Sequence, residues 1–238
     1  MDLRIWGKKM NFKIRGVIID LDGTLVDNRR AHAFAWKKAL DHEGVRNTLD
    51  EIERCMGCDV NQVIVQLVGV EARSQRGQRL IKKKAEILET EFLGQIKPNP
   101  FSKNFLNRLK SEGLRFALMS SANPCELKLF LNLLDCSDLL ENKKGVDLQS
   151  AWLSPVEGAI ESLGMNPEEI ILLGNTPYDI QAALAHGVQA IAFRSGGWSD
   201  QELSGALVVY EDISELLRKF DQSPFSGKAG REVSPIAA

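Results

Sequence analysis

The stretch Val17-Ile18-Ile19-Asp20-Leu21-Asp22-Gly23-Thr24-Leu25-Val26-Asp27 runs three β-branched residues into two carboxylates spaced one residue apart, and then into a glycine. A continuous β-branched run is the pattern of a strand covered on both faces. Gly23 lets the chain leave the sheet through a conformation that other residues resist. Asp20 and Asp22 are therefore expected at the carboxyl end of a strand, the edge where open α/β sheets bind ligands. On a regular strand, positions i and i+2 point the same way, and two such charges repel unless a cation or a shared proton lies between them. A metal-assisted site is the economical reading of that pair.

This stretch resembles the first motif, Asp-x-Asp-Gly-Thr, of the haloacid dehalogenase-like hydrolases, in their phosphatase and phosphomutase branch. The resemblance implies Asp20 as the nucleophile that attacks phosphorus to give an aspartyl-phosphate. It implies Asp22 as the acid that protonates the leaving oxygen and later activates water. Mg2+ is implied on Asp20 and on the backbone carbonyl of Asp22, with Gly23 and Thr24 beside the substrate. An apolar strand running into an Asp-Gly turn is common in any α/β protein, so the reading depends on further motifs in the right order.

Length and composition agree with an enzyme of this kind. The chain has 238 residues, enough for one large domain or for a core with a modest insertion. Apolar residues make up 44% and charged residues 26%, ordinary for a globular chain. A net charge of −2 gives no broad basic footprint, so no nucleic-acid partner is expected. Neither a run of about eighteen apolar residues nor a secretory-type leader is present, so no membrane partner is expected and a cytoplasmic location is. The expected partner is a small phosphorylated substrate, met by a monomer or weak homodimer. Cys55, Cys58, Cys125 and Cys136 make no framework. Cys55 and Cys58 have C-x-x-C spacing, but zinc needs a second pair, and reduced thiols are the default.

Residues 1–10 are basic and read as an appendage, with Met10 an equally serviceable start. After the Asp20 motif a helix is expected from Arg29 to Glu43, closed by Gly44. Further helical patterns cover Leu49 to Cys55, Val60 to Leu67 and Ser74 to Leu93. In the last of these Ile81, Ala85, Leu88 and Phe92 form one stripe, while Lys82, Lys83 and Lys84 read as facing elsewhere. Arg54, Arg73, Arg76 and Lys84 are read as a solvated face rather than as anion ligands. The block of helices resembles the family's inserted cap, which closes over the phosphoryl group and excludes water. Gly57 falls where such caps carry a glycine-containing substrate loop. His32 falls where mutase-like members place a histidine near the hinge, although a lone His on an amphipathic helix is more often structural.

Pro98-Asn99-Pro100 marks the return to the core. A helix from Phe101 to Glu112 leads to an apolar strand, Leu114 to Met119, that ends in Ser120 and Ser121. It matches the family's second motif, which implies that Ser120 hydrogen-bonds a phosphoryl oxygen, with Ser121 and Ala122 next to the substrate. A helix from Pro124 to Leu134 follows. Ile170 to Gly174 is a third buried strand, followed by a helix expected from Ile180 to His186. Strands at Ala190 to Phe193 and Ala206 to Tyr210 complete the sheet. The expected architecture is α/β: a doubly wound, parallel, Rossmann-like sheet with an inserted all-helical cap. The core takes 11–27 and 98–221, the cap 28–97, and a disordered polar tail 222–238.

Two positions depart from the family. Its lysine, which neutralises the nucleophile and the phosphate, falls on Ser150; Lys143 or Lys144 could stand in from the loop, although their default reading is a solvated pair in a turn. The fourth motif reads Gly174-Asn175-Thr176-Pro177-Tyr178-Asp179, so an amide replaces the first acid that binds magnesium. An amide oxygen coordinates but brings no charge. Asp179 keeps the second acid, able to support the metal or its waters. Each lost charge is worth roughly 3 to 4 kcal/mol at a reacting centre. Both together, roughly 6 to 8 kcal/mol, would slow turnover ten-thousandfold or more if nothing compensated. The two losses cancel in formal charge, however, and coupled groups do not add simply.

Two functional readings stay open. One is Mg2+-dependent hydrolysis of a small phosphorylated metabolite; the other is a catalytically silent relative that binds a phosphometabolite or a protein. Dehalogenation and carbon–phosphorus cleavage fit worse, because those branches of the family carry another residue where this chain has Asp22.

Overall fold

The computed structural model describes residues 13–58, 60–136 and 155–226. Its centre is strand β1, Gly16–Asp20, every residue of which is buried. Val26–Asp27 (β2) and Lys97–Pro98 (β3) form a separate antiparallel pair. Arg115–Met119 (β4), Ile170–Gly174 (β5), Gln189–Phe193 (β6) and Val208–Tyr210 (β7) join β1 in a five-stranded sheet of order β4-β1-β5-β6-β7. Every pairing in that sheet is parallel.

The β-branched run sits where it does because successive side chains of a strand point to opposite faces. Val17 and Ile19 pack with Phe105, Leu106 and Leu109 of helix α5, Ser102–Ser111. Ile18 packs on the other face with Val156, Ala159 and Leu163 of helix α7, Pro155–Leu163, and with Ile180 and Ala183 of helix α8, Pro177–Ala185. Strand β5 divides the same way, with Ile171 and Leu173 to one side and Ile170 and Leu172 to the other. The sheet is thus covered on both faces, as the expected doubly wound fold requires.

Between β2 and β3 lie α1 (Arg29–His42), α2 (Leu49–Arg54), α3 (Val60–Val68) and α4 (Gln75–Ile87). They share their own buried cluster, including Trp36, Leu40, Ile52, Ile64 and Leu80. The segment expected as one helix to Leu93 instead leaves α geometry after Ile87. It continues as a π turn over Leu88–Phe92 and a 3₁₀ turn over Leu93–Gln95. Both connections to the helical block run through the short β2–β3 ribbon, where Val26 pairs with Pro98 and Asp27 with Lys97. Among the described residues, no helix is long and apolar enough to cross a membrane.

Two further expectations need correction. Helix α8 starts at Pro177, three residues before the expected Ile180, because Thr176 caps it, Pro177 takes the first turn and Asp179 closes a capping box. The polar tail expected from residue 222 is packed as far as Ser226. Phe225 is buried and stacks on Phe220 at 5.5 Å, and both rings lie against Phe105. Two aromatic rings bring enough apolar area to hold the chain against α5. The remaining residues of that expected tail lie outside the described residues.

Candidate active site

Asp20 ends β1 opposite Met119 of β4, only 8% exposed. Burial raises its pKa well above the ordinary carboxylate value, and the charges of Asp179 and Asp22 raise it further. Backbone hydrogen bonds from Asp22 and Leu21 oppose the rise without cancelling it. The sequence placed two carboxylates here, and folding brings a third into electrostatic range.

The Asp22 side chain is held at both oxygens. Oδ1 accepts from Asn28 Nδ2 at 2.5 Å; Oδ2 accepts from the Ser120 hydroxyl at 2.6 Å and the Ser121 backbone N–H at 3.2 Å. Ser120 Oγ in turn accepts from the Ala122 N–H at 3.0 Å. The expected substrate loop at Ser120, Ser121 and Ala122 is therefore wrapped on Asp22. Asn28, buried just before α1, is a site residue that sequence reading missed. Its only signal was its position directly after the motif.

Gly23 has φ +75°, and a Cβ there would lie 2.4 Å from Asn175 Nδ2, so the turn needs glycine for conformation and for space. Asn99, on the return linker, donates to the carbonyls of Gly23 and Thr24 at 3.2 and 2.6 Å, tying the first motif to the ribbon. The Thr24 hydroxyl is buried with no partner among the described residues.

Asn175 follows β5 and is 2% exposed. Asp179 Oδ2 accepts from the N–H of Asn175, the N–H of Thr176 and the Thr176 hydroxyl at 3.0, 2.9 and 2.8 Å. One oxygen of the acid expected near the metal is thus occupied in shaping its own loop and capping α8. Burial raises the Asp179 pKa, against those bonds. The chain after β6 closes the far side, where a Cβ on Gly196 would fall 1.8 Å from the Asn175 carbonyl oxygen.

The helical block lies directly on these loops. Gly57, with φ +101°, has no room for a Cβ, which would meet Thr176 Cγ2 at 2.6 Å. His32 Nδ1 lies 3.1 Å from Lys84 Nζ, and Lys84 Nζ lies 4.0 Å from Glu126 Oε1. Burial, and then the Lys84 ammonium, push the His32 imidazole down to about 3. A neutral ring that accepts from Lys84 at Nδ1 carries its proton on Nε2, a buried atom with no partner among the described residues.

Lys84 corrects the solvated-face reading. Its side chain is 13% exposed, its pKa is lowered by burial, and it feels the charges of Glu126 and Asp22. The signal was present, since Lys84 stands three residues after Ile81 and four before Leu88, on the margin of the apolar stripe. Glu126 was missed. It closes a capping box with Asn123 at the start of α6, Pro124–Leu134, so Asn123-Pro124-Cys125-Glu126 was readable as a helix start. Burial raises its pKa and Lys84 lowers it. Lys143, Lys144 and Ser150 lie outside the described residues.

Among the described residues, no three His, Cys, Asp or Glu side chains form a metal cage. Magnesium seldom needs one, because it binds through one or two carboxylates and keeps several waters. Asp20, the Asp22 carbonyl and the Asn175 amide oxygen, with Asp179 beside them, would make an all-oxygen donor set of that kind. Asp179 and Asp22, half-buried beside the buried Asp20 and raising its pKa, present the negative potential a hard dication would neutralise. The residues present fit magnesium.

Comparison with known proteins bears on the family and the fold. The family model described as haloacid dehalogenase-like hydrolase matches residues 17–193. The phosphoglycolate phosphatase of Aquifex aeolicus is 26% identical over 184 residues, which cover 74% of this chain and 83% of that protein. The crystal structure of a hydrolase from Pseudomonas syringae superposes with a TM-score of 0.77 at 27% identity, covering 87% of this chain and 98% of that one. A β-phosphoglucomutase structure from Clostridium difficile shares the fold with a TM-score of 0.71 at 19% identity, over 92% of this chain and 100% of that one.

Proposed function

From the premise that this chain belongs to the haloacid dehalogenase-like hydrolase family, we propose that it is a magnesium-dependent phosphatase of a small phosphorylated metabolite. Residues 28–97 serve as its cap, and 11–27 with 98–221 as its catalytic core. The observation that carries this reading is the pairing of a buried Asp20 with an Asp22 whose carboxylate is fixed from three directions.

In this reading Asp20 attacks phosphorus and holds the phosphoryl group as an aspartyl-phosphate. Asp22 passes a proton to the departing oxygen, then takes one from the water that cleaves the acyl-phosphate. Asn28 and Ser120 keep that carboxyl aimed, which is how positioned acids gain their effect. Asp20, the Asp22 carbonyl and Asn175 would hold magnesium, with Asp179 beside them, and the ion would supply charge neutralisation for the phosphoryl oxygens. Ser120, with the backbone N–H groups of Ser121 and Ala122, is suited to those same oxygens once Asp22 releases it. Lys84, carried in by the cap, is a cation that partly offsets Ser150, and His32 fixes its direction. Gly57, Gly23 and Thr24 border the space left for substrate. The name of the Aquifex relative makes phosphoglycolate a sensible first substrate.

A second reading, a silent binder of phosphorylated ligands, is favoured by one observation, the uncharged Asn175 in the metal loop. Phosphate release from phosphoglycolate, sugar phosphates and nucleotides, at low and high magnesium, separates the two. The phosphatase reading expects turnover that climbs with magnesium and vanishes in Asp20→Asn. No release by folded protein at saturating magnesium would leave the silent binder standing.

A further inference from the structure

Cys55 and Cys58 belong to a feature that the phosphatase reading does not use. Cys55 ends α2, and Cys58 lies two residues before α3, on the loop whose Gly57 touches Thr176. The Cys58 N–H donates to the Cys55 carbonyl at 3.1 Å. A four-residue turn closed in this way keeps its first and fourth Cα atoms within about 7 Å. A disulfide spans about the same separation.

Gln66 of α3 reaches both sulfurs with one amide. The Cys55 thiol donates to Gln66 Oε1 at 3.1 Å, and Gln66 Nε2 lies 4.0 Å from Cys58 Sγ. Both thiols are reduced, Cys55 buried and Cys58 half-buried. The Cys58 sulfur also hydrogen-bonds the Tyr178 hydroxyl, in the first turn of α8 and next to Asp179. One sulfur of the pair thus bridges the helical block and the loop that carries Asn175.

We infer that Cys55 and Cys58 are a redox modification site, whose reversible disulfide undocks the Gly57 loop from the Asn175–Asp179 loop. With hydrogen peroxide as oxidant, the half-buried Cys58 thiolate attacks one peroxide oxygen, the O–O bond breaks, and hydroxide leaves Cys58 as a sulfenic acid. The Cys55 sulfur then attacks that of Cys58, the S–O bond breaks, and the hydroxyl leaves as water with the Cys55 proton. Two electrons pass from the sulfurs to peroxide, and protonation of the hydroxide makes the second water. A dithiol reverses the step by exchange. Burial raises the Cys55 thiol pKa, in keeping with its part as the second sulfur to react. Turned towards Cys55 to form the disulfide, the Cys58 sulfur is drawn away from the Tyr178 hydroxyl. The Gly57–Thr176 contact has no slack to absorb the shift.

The test uses the full chain and needs no phosphatase activity, so its failure is separate from any failure of the proposed function. Peroxide-treated protein is alkylated, weighed intact and mapped by peptides. The expected result is loss of two hydrogens, protection of Cys55 and Cys58 from alkylation, and recovery with dithiothreitol. Amide exchange over 175–179 should speed up on oxidation in the wild type and not in Cys55→Ser, where Cys58 oxidation stops at the sulfenic or sulfinic acid. Cys55 and Cys58 both staying alkylatable while the exposed Cys125 oxidises would overturn the inference. So would a disulfide that leaves exchange over 175–179 unchanged.

Discussion

Replacing Lys84 by Met removes a charge from between the cap and the core while keeping most of the side-chain volume. The Lys84–Glu126 separation is 4.0 Å, with side chains 13% and 6% exposed. At an effective dielectric of about 20, opposite charges about 4 Å apart attract by about 4 kcal/mol. Desolvating both ions costs several kcal/mol, so the pair contributes little net stability. Removing one partner is different, because the other stays buried and unpaired at a cost of about 3 to 5 kcal/mol. Glu126 escapes part of that cost by taking a proton, since burial already raises its pKa and Lys84 is the larger of the two influences that lower it, the other being the Asn123 N–H. In Lys84→Met its folded pKa lies further above the unfolded value, so the variant is least destabilised in acid and loses stability as pH rises through that folded pKa. We expect about 2 to 3 kcal/mol of destabilisation at neutral pH, measured by urea unfolding, and less in acid. Glu126→Gln should cost a similar amount. The double variant should be more stable than the summed losses by about 2 kcal/mol, the coupling of the pair. Additivity within about 0.5 kcal/mol, with no pH dependence of the single loss, would refute a buried ion pair between cap and core.

Three further outcomes follow from the same geometry. Asn175→Asp adds a carboxylate beside a group already raised by Asp179 and Asp22. It should destabilise the metal-free protein and tighten magnesium binding roughly tenfold (about 1.4 kcal/mol), read from thermal shift against magnesium; an unchanged affinity would remove position 175 from the donor set. His32 is held near 3 against an ordinary 6.5, so its unfolded form binds the proton first. Stability from its neutral form is complete above about pH 6.5 and lost as pH falls towards 3, on the order of 5 kcal/mol in all. His32→Gln should flatten that limb of the pH–stability curve. Gly57→Ala must adopt φ near +101° and place its methyl 2.6 Å from Thr176 Cγ2. It should lower stability by about 1 to 3 kcal/mol in a melting experiment, with Gly94→Ala, where a Cβ meets nothing within 4 Å, as the neutral control.

The sequence alone determined the chain's frame and the identity of its chemical groups. Val17 to Ile19 could only be a strand covered on both faces, and Asp20 and Asp22 had to emerge at its end. Ser120 and Asn175 followed their own apolar strands in the matching order. Strand periodicity and turn chemistry act over a few residues, so a linear reading reaches them. The start of α8 was read three residues late, at Ile180, although its signal is equally local, since Thr176-Pro177-Tyr178-Asp179 carries its own capping box. Tertiary structure decided what lies further apart. Ser120 reaches Asp22 across 98 positions, and Lys84 meets His32 across 52. Which flank of α4 is buried depends on what packs against it, so Lys84 read as solvated until the core was placed under the cap. Phe225 looked like part of a free tail for the same reason, its partners Phe105 and Phe220 being found only by folding. Spacing chose the carboxylates; burial against distant residues set their charge, their aim and their company.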